Sequence, residues 1–298
     1  MTPSDAIDVQ PTKPGAPVDL QLGLIGDNIA RSRAPLLHCL AGRLAGLAVD
    51  YKRLVPRELG LSFDDTFAGC PAAGYRGINI TYPYKEQAAR RVEIKDPLVR
   101  AMGAVNTVIF EAGGAKGYNT DYSGFIAAYR SVRGEQPAGR VCMIGAGGVG
   151  KAIAFALLKL GLAALTIVDL DPAKAADLAA RLHRAAPELP ISLAGDATSG
   201  ADGAEGIVNC TPVGMVGHDG TPLARDRMRG AAWAFDAIYT PLVTQFLAEA
   251  EAEGLTVIGG YELFFHQGVD AWQIFAGRPV EPAALRRLLA EAGAGPGA

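Results

Sequence analysis

Charge of one sign, paired cysteines and long uncharged apolar runs are all scarce in this chain, and each scarcity removes a class of function. Twenty-eight Lys and Arg stand against 31 Asp and Glu over 298 residues, a formal net charge of -3. Nothing there offers the basic field that a nucleic acid would need, so no nucleic-acid partner is expected. A small anionic substrate has to be held by a local site. The four cysteines, Cys39, Cys70, Cys142 and Cys210, lie far apart and form no CxxC pair. That spacing excludes zinc-ribbon and thioredoxin readings and predicts reduced thiols in a cytoplasmic protein. No set of His, Cys and acidic residues has metal-ligand spacing, so no metal is expected. No stretch is long and uncharged enough to span a bilayer. Met1 to Val18 holds four prolines but lacks the apolar run of a signal peptide. Residues 1–17 read as a disordered tail, and Gly293–Ala298 likewise.

What is present is ample core material. Hydrophobic residues make up 49 % and charged residues 20 %, a globular balance, and the length suggests about two domains. Strand-like and helix-like segments alternate, which predicts an α/β fold. Leu20–Ile25, Tyr51–Leu54, Gly77–Ile80 and Asn106–Phe110 read as strands. Ser32 to Leu44 and Lys85–Val92 read as helices. A second series follows, with strands at Val141–Ile144, Leu165–Val168, Ile191–Leu193, Ile207–Cys210, Trp233–Ile238 and Val257–Ile258. Val149–Leu160 and Ala173–Ala185 are its helices, the latter with Pro172 in its first turn. On composition alone the domain boundary falls near Ser131–Gly139.

The strongest local signal is Gly145-Ala146-Gly147-Gly148-Val149-Gly150, a G-x-G-x-x-G that follows an apolar strand and opens a helix. Gly145 permits the tight turn, Gly147 lets backbone approach a pyrophosphate, and Gly150 allows close helix–strand packing. The helix start supplies free N–H donors and a partial positive charge for phosphates. The next strand ends at Asp169, where the fingerprint expects an acid that accepts hydrogen bonds from ribose hydroxyls. Such an acid repels a 2′-phosphate. The stretch Asp169-Leu170-Asp171-Pro172-Ala173 has no base before Lys174, so NAD is preferred, with NADP possible. Asp171 also reads as the cap of the helix after Pro172.

In the first half, polar residues gather near strand ends. Asn79-Ile80-Thr81-Tyr82-Pro83-Tyr84-Lys85-Glu86 follows one strand, with Ala104-Val105-Asn106-Thr107 and Gly117-Tyr118-Asn119-Thr120-Asp121 further on. Open α/β sheets bind ligands at such edges. By residue type alone, Lys85 also reads as a solvated helix-start residue, Asp121 as an N-cap, and the asparagines as turn residues. His38 reads as packing or surface, and Trp233 and Trp272 as core.

Taken together, these segments resemble the shikimate/quinate dehydrogenase family. Ser32-Arg33-Ala34-Pro35, Asn79 to Glu86, Ala104 to Thr107, Asn119-Thr120-Asp121, Gly145 to Gly150, Asn209-Cys210-Thr211-Pro212-Val213-Gly214-Met215, Tyr239-Thr240-Pro241 and Gly260 to Gln267 carry the resemblance, in the family's order, from about Leu22 to Phe275. It implies an N-terminal α/β substrate domain plus a doubly wound Rossmann NAD(P)-binding domain. The substrate domain would be discontinuous, residues 18–118 and 260–292, with residues 119–259 as the cofactor domain. Lys85 matches the family's catalytic lysine and Asp121 its partner. Ser32, Asn79, Thr81, Asn106, Tyr239 and Gln267 match substrate-binding positions. The Thr211, Val213 and Met215 loop and Gly260 match positions around the nicotinamide, alongside Gly145 to Gly150 and Asp169.

The implied reaction is the reversible oxidation of shikimate, quinate or both at a ring alcohol, with Lys85 and Asp121 handling the proton. A dehydrogenase of a related cyclic hydroxy or amino acid, and a non-catalytic ligand sensor on the same fold, are the alternatives. The expected assembly is a monomer or homodimer. The chain departs from the family pattern at Ala34, where a second carboxylate-binding hydroxyl is common, at Arg31, where His is common, and at Glu262, where Gly is common.

Overall fold

The computed structural model describes residues 17–295, and the chain divides into two units. One unit contains the described chain up to Asp96, Gly103–Thr120 and everything from Gly268 onward; the other contains Pro97–Met102 and Asp121–Gln267. The strands are β1 (Leu20–Ile25), β2 (Val49–Leu54), β3 (Gly77–Ile80), β4 (Thr107–Glu111), β5 (Gly114–Tyr118), β6 (Gly139–Ile144), β7 (Leu162–Val168), β8 (Ile191–Ala194), β9 (Gly206–Asn209), β10 (Trp233–Asp236) and β11 (Thr256–Ile258). The helices are α1 (Ala34–Ala45), α2 (Pro56–Leu59), α3 (Phe63–Ala72), α4 (Lys85–Ala89), α5 (Pro97–Met102), α6 (Thr120–Arg133), α7 (Gly148–Leu157), α8 (Pro172–Ala185), α9 (Ala197–Gly200), α10 (Gln245–Ala252), α11 (Gly260–Ala276) and α12 (Pro282–Glu291).

The first unit is built on a five-stranded sheet of order β2-β1-β3-β4-β5. β1 lies between parallel partners β2 and β3, while β4 runs antiparallel to both β3 and β5. The direction of β4 has a consequence for the site. The ends of β1, β3 and β5 and the beginning of β4 all fall on one edge. α1 turns Leu37, His38, Leu40 and Ala41 inward. His38 stacks on Tyr51, with ring centroids 5.2 Å apart, and meets Phe275 edge-on. Burial drives its pKa down to about 3, so it is a neutral core residue.

The second unit is a six-stranded, all-parallel sheet of order β8-β7-β6-β9-β10-β11. The order reverses between β6 and β9, the switch point at which open α/β sheets bind ligands. Its core includes edge-to-face pairs Phe125–Phe235 and Tyr129–Trp233, at 4.7 and 5.1 Å. The Trp233 indole N–H donates to the Ala138 carbonyl. Arg181 of α8 reaches the Met102 carbonyl at the end of α5.

Element types follow the sequence patterns closely, and the differences have physical causes. The helix expected over Lys85–Val92 ends at Ala89, because Glu93 bridges to Lys116 beside β5 and its N–H bonds the Ala115 carbonyl. Helix α1 starts at Ala34 rather than Ser32, whose hydroxyl instead accepts the Ala34 N–H. Asp121 stands inside the first turn of α6 rather than capping it. The Ser131–Gly139 stretch is the end of α6 and the turn leaving it, with Gly134 and Gly139 at positive φ, and the chain passes between units at Thr120/Asp121. The tail expected from Gly293 is still packed at Ala294, which is 2 % exposed and bonds back to Leu289. Residues 1–16 of the other expected tail, and Pro296–Ala298, lie outside the described residues. No helix among the described residues is long and apolar enough to cross a membrane.

Candidate active site

The polar edge of the first unit is organised by a buried asparagine ladder. Asn79, in β3, is 7 % exposed. The Tyr51 hydroxyl donates to its Oδ1 at 2.8 Å, and its Nδ2 donates to Thr107 Oγ1 at 3.0 Å and to the Asn106 carbonyl at 3.3 Å. Both of its N–H groups are thus engaged inside the protein.

Asn106 precedes β4. Its Oδ1 accepts the Thr120 backbone N–H at 2.7 Å, with the Thr107 and Thr120 hydroxyls at 3.0 and 3.1 Å. A backbone N–H can only donate, so the orientation of the Asn106 amide is fixed. Its Nδ2 has no partner among the described residues and is not sealed from solvent. A donor is therefore held at the sheet edge by three donors behind it. Asn119 braces the same corner by donating to the Ala104 carbonyl at 3.0 Å.

Ser32, Thr81 and Lys85 of the same unit are all half-buried. Thr81 follows β3, its N–H bonded to the Ile25 carbonyl at the end of β1. Lys85 is the first residue of α4, and its carbonyl accepts the Val105 N–H at 3.0 Å. The Ser32 loop is bracketed from β2: Arg53 donates through Nε to the Ile29 carbonyl and through Nη2 to the Ser32 carbonyl, at 3.0 and 2.9 Å. The Tyr84 hydroxyl donates to Asp27 at 2.7 Å, joining the loops after β1 and β3.

In the second unit the glycine turn lies at the switch point. Gly145 has φ +101°, and a Cβ there would meet the Cys210 backbone at 2.7 Å. A Cβ on Gly150 would collide with the Gly145 carbonyl. Gly147 is the N-cap of α7 and faces open space. These properties fit a bound dinucleotide: a tight turn, close helix–strand packing, and an unobstructed helix start presenting Gly148, Val149 and Gly150. Asp169, after β7, accepts the Ala146 N–H at 2.7 Å and the Asp171 N–H at 2.8 Å. Asp171 caps α8 through the Ala173 N–H, and Lys174 lies 3.9 Å from it. Leu170 is fully exposed.

The loop Thr211–Met215 leaves β9. Asn209 Oδ1 accepts the Thr211 N–H and hydroxyl at 2.9 and 2.7 Å, and Thr211 Oγ1 accepts the Val213 N–H. Met215 is 39 % exposed. Tyr239 stacks on Phe264 at 5.1 Å. Gly260 packs so tightly on Ala237 and Ile238 that any side chain would clash. Gln267 donates to the Phe264 carbonyl at 2.9 Å, and Gly124 lies directly against its backbone. That crossing of α6 and α11 puts Asp121, three residues before Gly124, on the helical face near Gln267. Asp121 is 8 % exposed.

Of the sequence-predicted residues, Asn79, Thr81, Asn106, the glycine turn, Asp169 and the Thr211 loop lie at or next to strand ends of their own unit, and Gln267 lies within α11. Tyr51, Thr107, Thr120 and Asp236 were not among them, although buried polar residues at strand ends are visible in the sequence as Thr107 in Asn106-Thr107 and Asp236 in Phe235-Asp236. An open groove of about 460 Å³ lined by Leu158, Leu162, Ala185 and Pro190 lies at the opposite end of the second sheet. The four cysteines are free.

An all-parallel 3-2-1-4-5-6 sheet with a glycine turn at its switch point is the doubly wound arrangement of dinucleotide-binding domains, here joined to a second α/β unit. The profile described as shikimate dehydrogenase substrate binding domain matches residues 24–108. A shikimate dehydrogenase (NADP(+)) of Pseudarthrobacter chlorophenolicus is 36 % identical over 270 residues, covering 89 % of this chain and 92 % of the relative. A quinate/shikimate dehydrogenase (NAD(+)) of Corynebacterium efficiens is 35 % identical over 269 residues, 86 % of this chain and 92 % of its own. The solved quinate dehydrogenase from Corynebacterium glutamicum in complex with NAD superposes with a TM-score of 0.85 at 33 % identity, over 91 % of this chain and 98 % of that one. The chain belongs to the shikimate/quinate dehydrogenase family.

Proposed function

We propose that this protein interconverts shikimate and 3-dehydroshikimate, quinate and 3-dehydroquinate, or both, with NAD as the favoured cofactor. The first unit takes the hydroxylated acid and the second the dinucleotide. The observation that carries the reading is the fixed Asn106 amide, whose outward N–H₂ is held ready for a hydroxyl by the Thr120 N–H. Thr81 and Asn79 Oδ1 add hydroxyl contacts and Ser32 holds the carboxylate, while Tyr239 and Gln267 of the second unit match the family's remaining substrate positions. Ala34 supplies no second hydroxyl, which leaves room at the carboxylate-bearing carbon for the extra hydroxyl of quinate.

The bound nicotinamide supplies the hydride acceptor. Lys85 takes the alcohol proton; in reverse its ammonium polarises the ketone and returns the proton to the nascent alkoxide. Asp121 is the acid that the family resemblance pairs with this lysine. The preference for NAD rests on Asp169, a carboxylate fixed on the glycine turn by the Ala146 N–H. The nearest downstream cation, Lys174, faces Asp171, and the exposed Leu170 offers a 2′-phosphate nothing. A cytoplasmic location goes with this reading and with the free cysteines.

The test is direct. Purified protein is mixed with NAD or NADP and with shikimate or quinate, and reduced cofactor is followed by absorbance. Turnover with NAD well above that with NADP is expected. Silence with every pair would overturn the substrate assignment, and a strong preference for NADP would overturn the reading of Asp169.

A further inference from the structure

Asp236 is the last residue of β10 and is wholly buried. Beside it in the sheet lies Asn209, the last residue of β9, equally buried and its register partner. Three donors converge on the Asp236 carboxylate. Asn209 Nδ2 and the Ile238 N–H reach Oδ1 at 3.1 and 3.0 Å, and the Thr244 hydroxyl reaches Oδ2 at 2.6 Å. No Lys, Arg or His among the described residues pairs with it. A buried carboxylate with hydrogen bonds but no cation is an expensive choice for holding a fold together. The explanation lies in what Asn209 does on its other side.

Asn209 Oδ1 is committed to the Thr211 N–H and hydroxyl, so its Nδ2 must point toward Val213 O, at 3.2 Å, and Asp236. This amide ties both ends of the Thr211–Val213 turn, alongside the Thr211 hydroxyl that accepts the Val213 N–H. Flipped by 180°, it would present N–H to the Thr211 N–H and lose the turn. An acceptor at position 236 that carries no proton on Oδ1 forbids the flip, and its charge shortens and strengthens the contact. We propose that Asp236 is a positioning residue for the nicotinamide-side loop, acting through the side-chain orientation of Asn209. The role of the loop rests on the function proposed above; the orientation of Asn209 does not. Burial, partly offset by the hydrogen bonds from Thr244, Ile238 and Asn209, leaves the Asp236 pKa raised to about 6, which agrees with a group that specifies geometry rather than adding stability.

The experiment uses the full chain with NAD and shikimate or quinate as probes. Asp236→Leu removes the acceptor and Asp236→Asn keeps one. In cofactor-free protein, hydrogen exchange at the Thr211 and Val213 amides is expected to quicken at least tenfold in Asp236→Leu and to stay within threefold of wild type in Asp236→Asn. The KM for NAD is expected to rise about tenfold in Asp236→Leu and to be restored by Asp236→Asn. Combined with Asn209→Ala, Asp236→Leu is expected to add nothing further, because both act on one contact. Unchanged exchange in a folded Asp236→Leu protein, an Asp236→Asn as impaired as Asp236→Leu, or full additivity would each overturn the proposal. Should Asp236→Leu not fold, Asn209→Ala alone decides it: a KM for NAD and an exchange rate equal to wild type would refute it. Altered exchange in a protein without dehydrogenase activity would instead refute the functional reading and leave the positioning role standing.

Discussion

Replacing Asp236 by asparagine gives a quantitative test of the buried carboxylate through stability. Burial lifts its pKa from 3.8 to about 6, while hydrogen bonds from Thr244, Ile238 and Asn209 hold it back. The gap, 6 minus 3.8, is worth about 3 kcal/mol at about 1.4 kcal/mol per pKa unit. The sign follows from proton counting. Between these two values the folded protein binds more protons at this site than the unfolded chain. Its contribution is therefore full below pH 3.8, declines as pH rises, and is lost above about 6. Asparagine does not titrate. The unfolding free energy of Asp236→Asn minus that of wild type should therefore increase by about 2 kcal/mol from pH 4 to pH 7, most of the full span. Any constant cost, such as the Thr244 hydroxyl losing its acceptor, cancels from this difference. Urea titrations at several pH values measure it, with Trp233 reporting on one unit and Trp272 on the other. Parallel pH profiles for the two proteins would refute the reasoning.

Other substitutions address the chemistry more directly. Lys85→Met should lower kcat by at least about 100-fold, within the range of lost acid–base catalysis, with the NAD dissociation constant unchanged; wild-type turnover would remove Lys85 from the mechanism. Asn106→Asp keeps the acceptor for the Thr120 N–H but loses the outward donor. Its kcat/KM should fall by about 10- to 100-fold, the cost of a missing hydrogen bond to substrate, with thermal stability near wild type. Asp169→Asn with Leu170→Arg should shift kcat/KM toward NADP by about tenfold or more, since repulsion is replaced by a charge-assisted contact. Gly150→Val should abolish cofactor binding, because its side chain would displace the Gly145 carbonyl from the turn; titration of NAD by calorimetry checks this.

Strands such as Leu20–Ile25 and Gly77–Ile80 were legible to the residue because short runs rich in Leu and Ile, interrupted only by Gln21 or Asn79 and by glycine, are bounded by turn signals. The glycine turn was legible because each glycine has a separate steric task. Less legible were β5, whose Gly-Ala-Lys-Gly-Tyr holds its shape only by pairing with β4, and α3, which tolerates Gly69 and Pro71 inside a helix. Those depend on partners distant in sequence. The site followed the same division. Residue types marked Lys85, Asn106 and Asp169 as candidates, but the network joining Tyr51, Asn79, Thr107, Thr120 and Asn106 spans 69 positions from Tyr51 to Thr120. Only the sheet order assembles it. Asp236 and Asn209 became functional candidates for the same reason: adjacency of β9 and β10 sets their side chains face to face.

The chain crosses from one unit to the other at Asp96/Pro97, Met102/Gly103, Thr120/Asp121 and Gln267/Gly268. A fragment stopping at Thr120 would forfeit Phe275, against which His38 packs, and Gly268, which nests on Leu37. Neither half can be released by a single cut. Expression trials of isolated lobes need a circular permutation or a stitched linker, and simple truncations should precipitate.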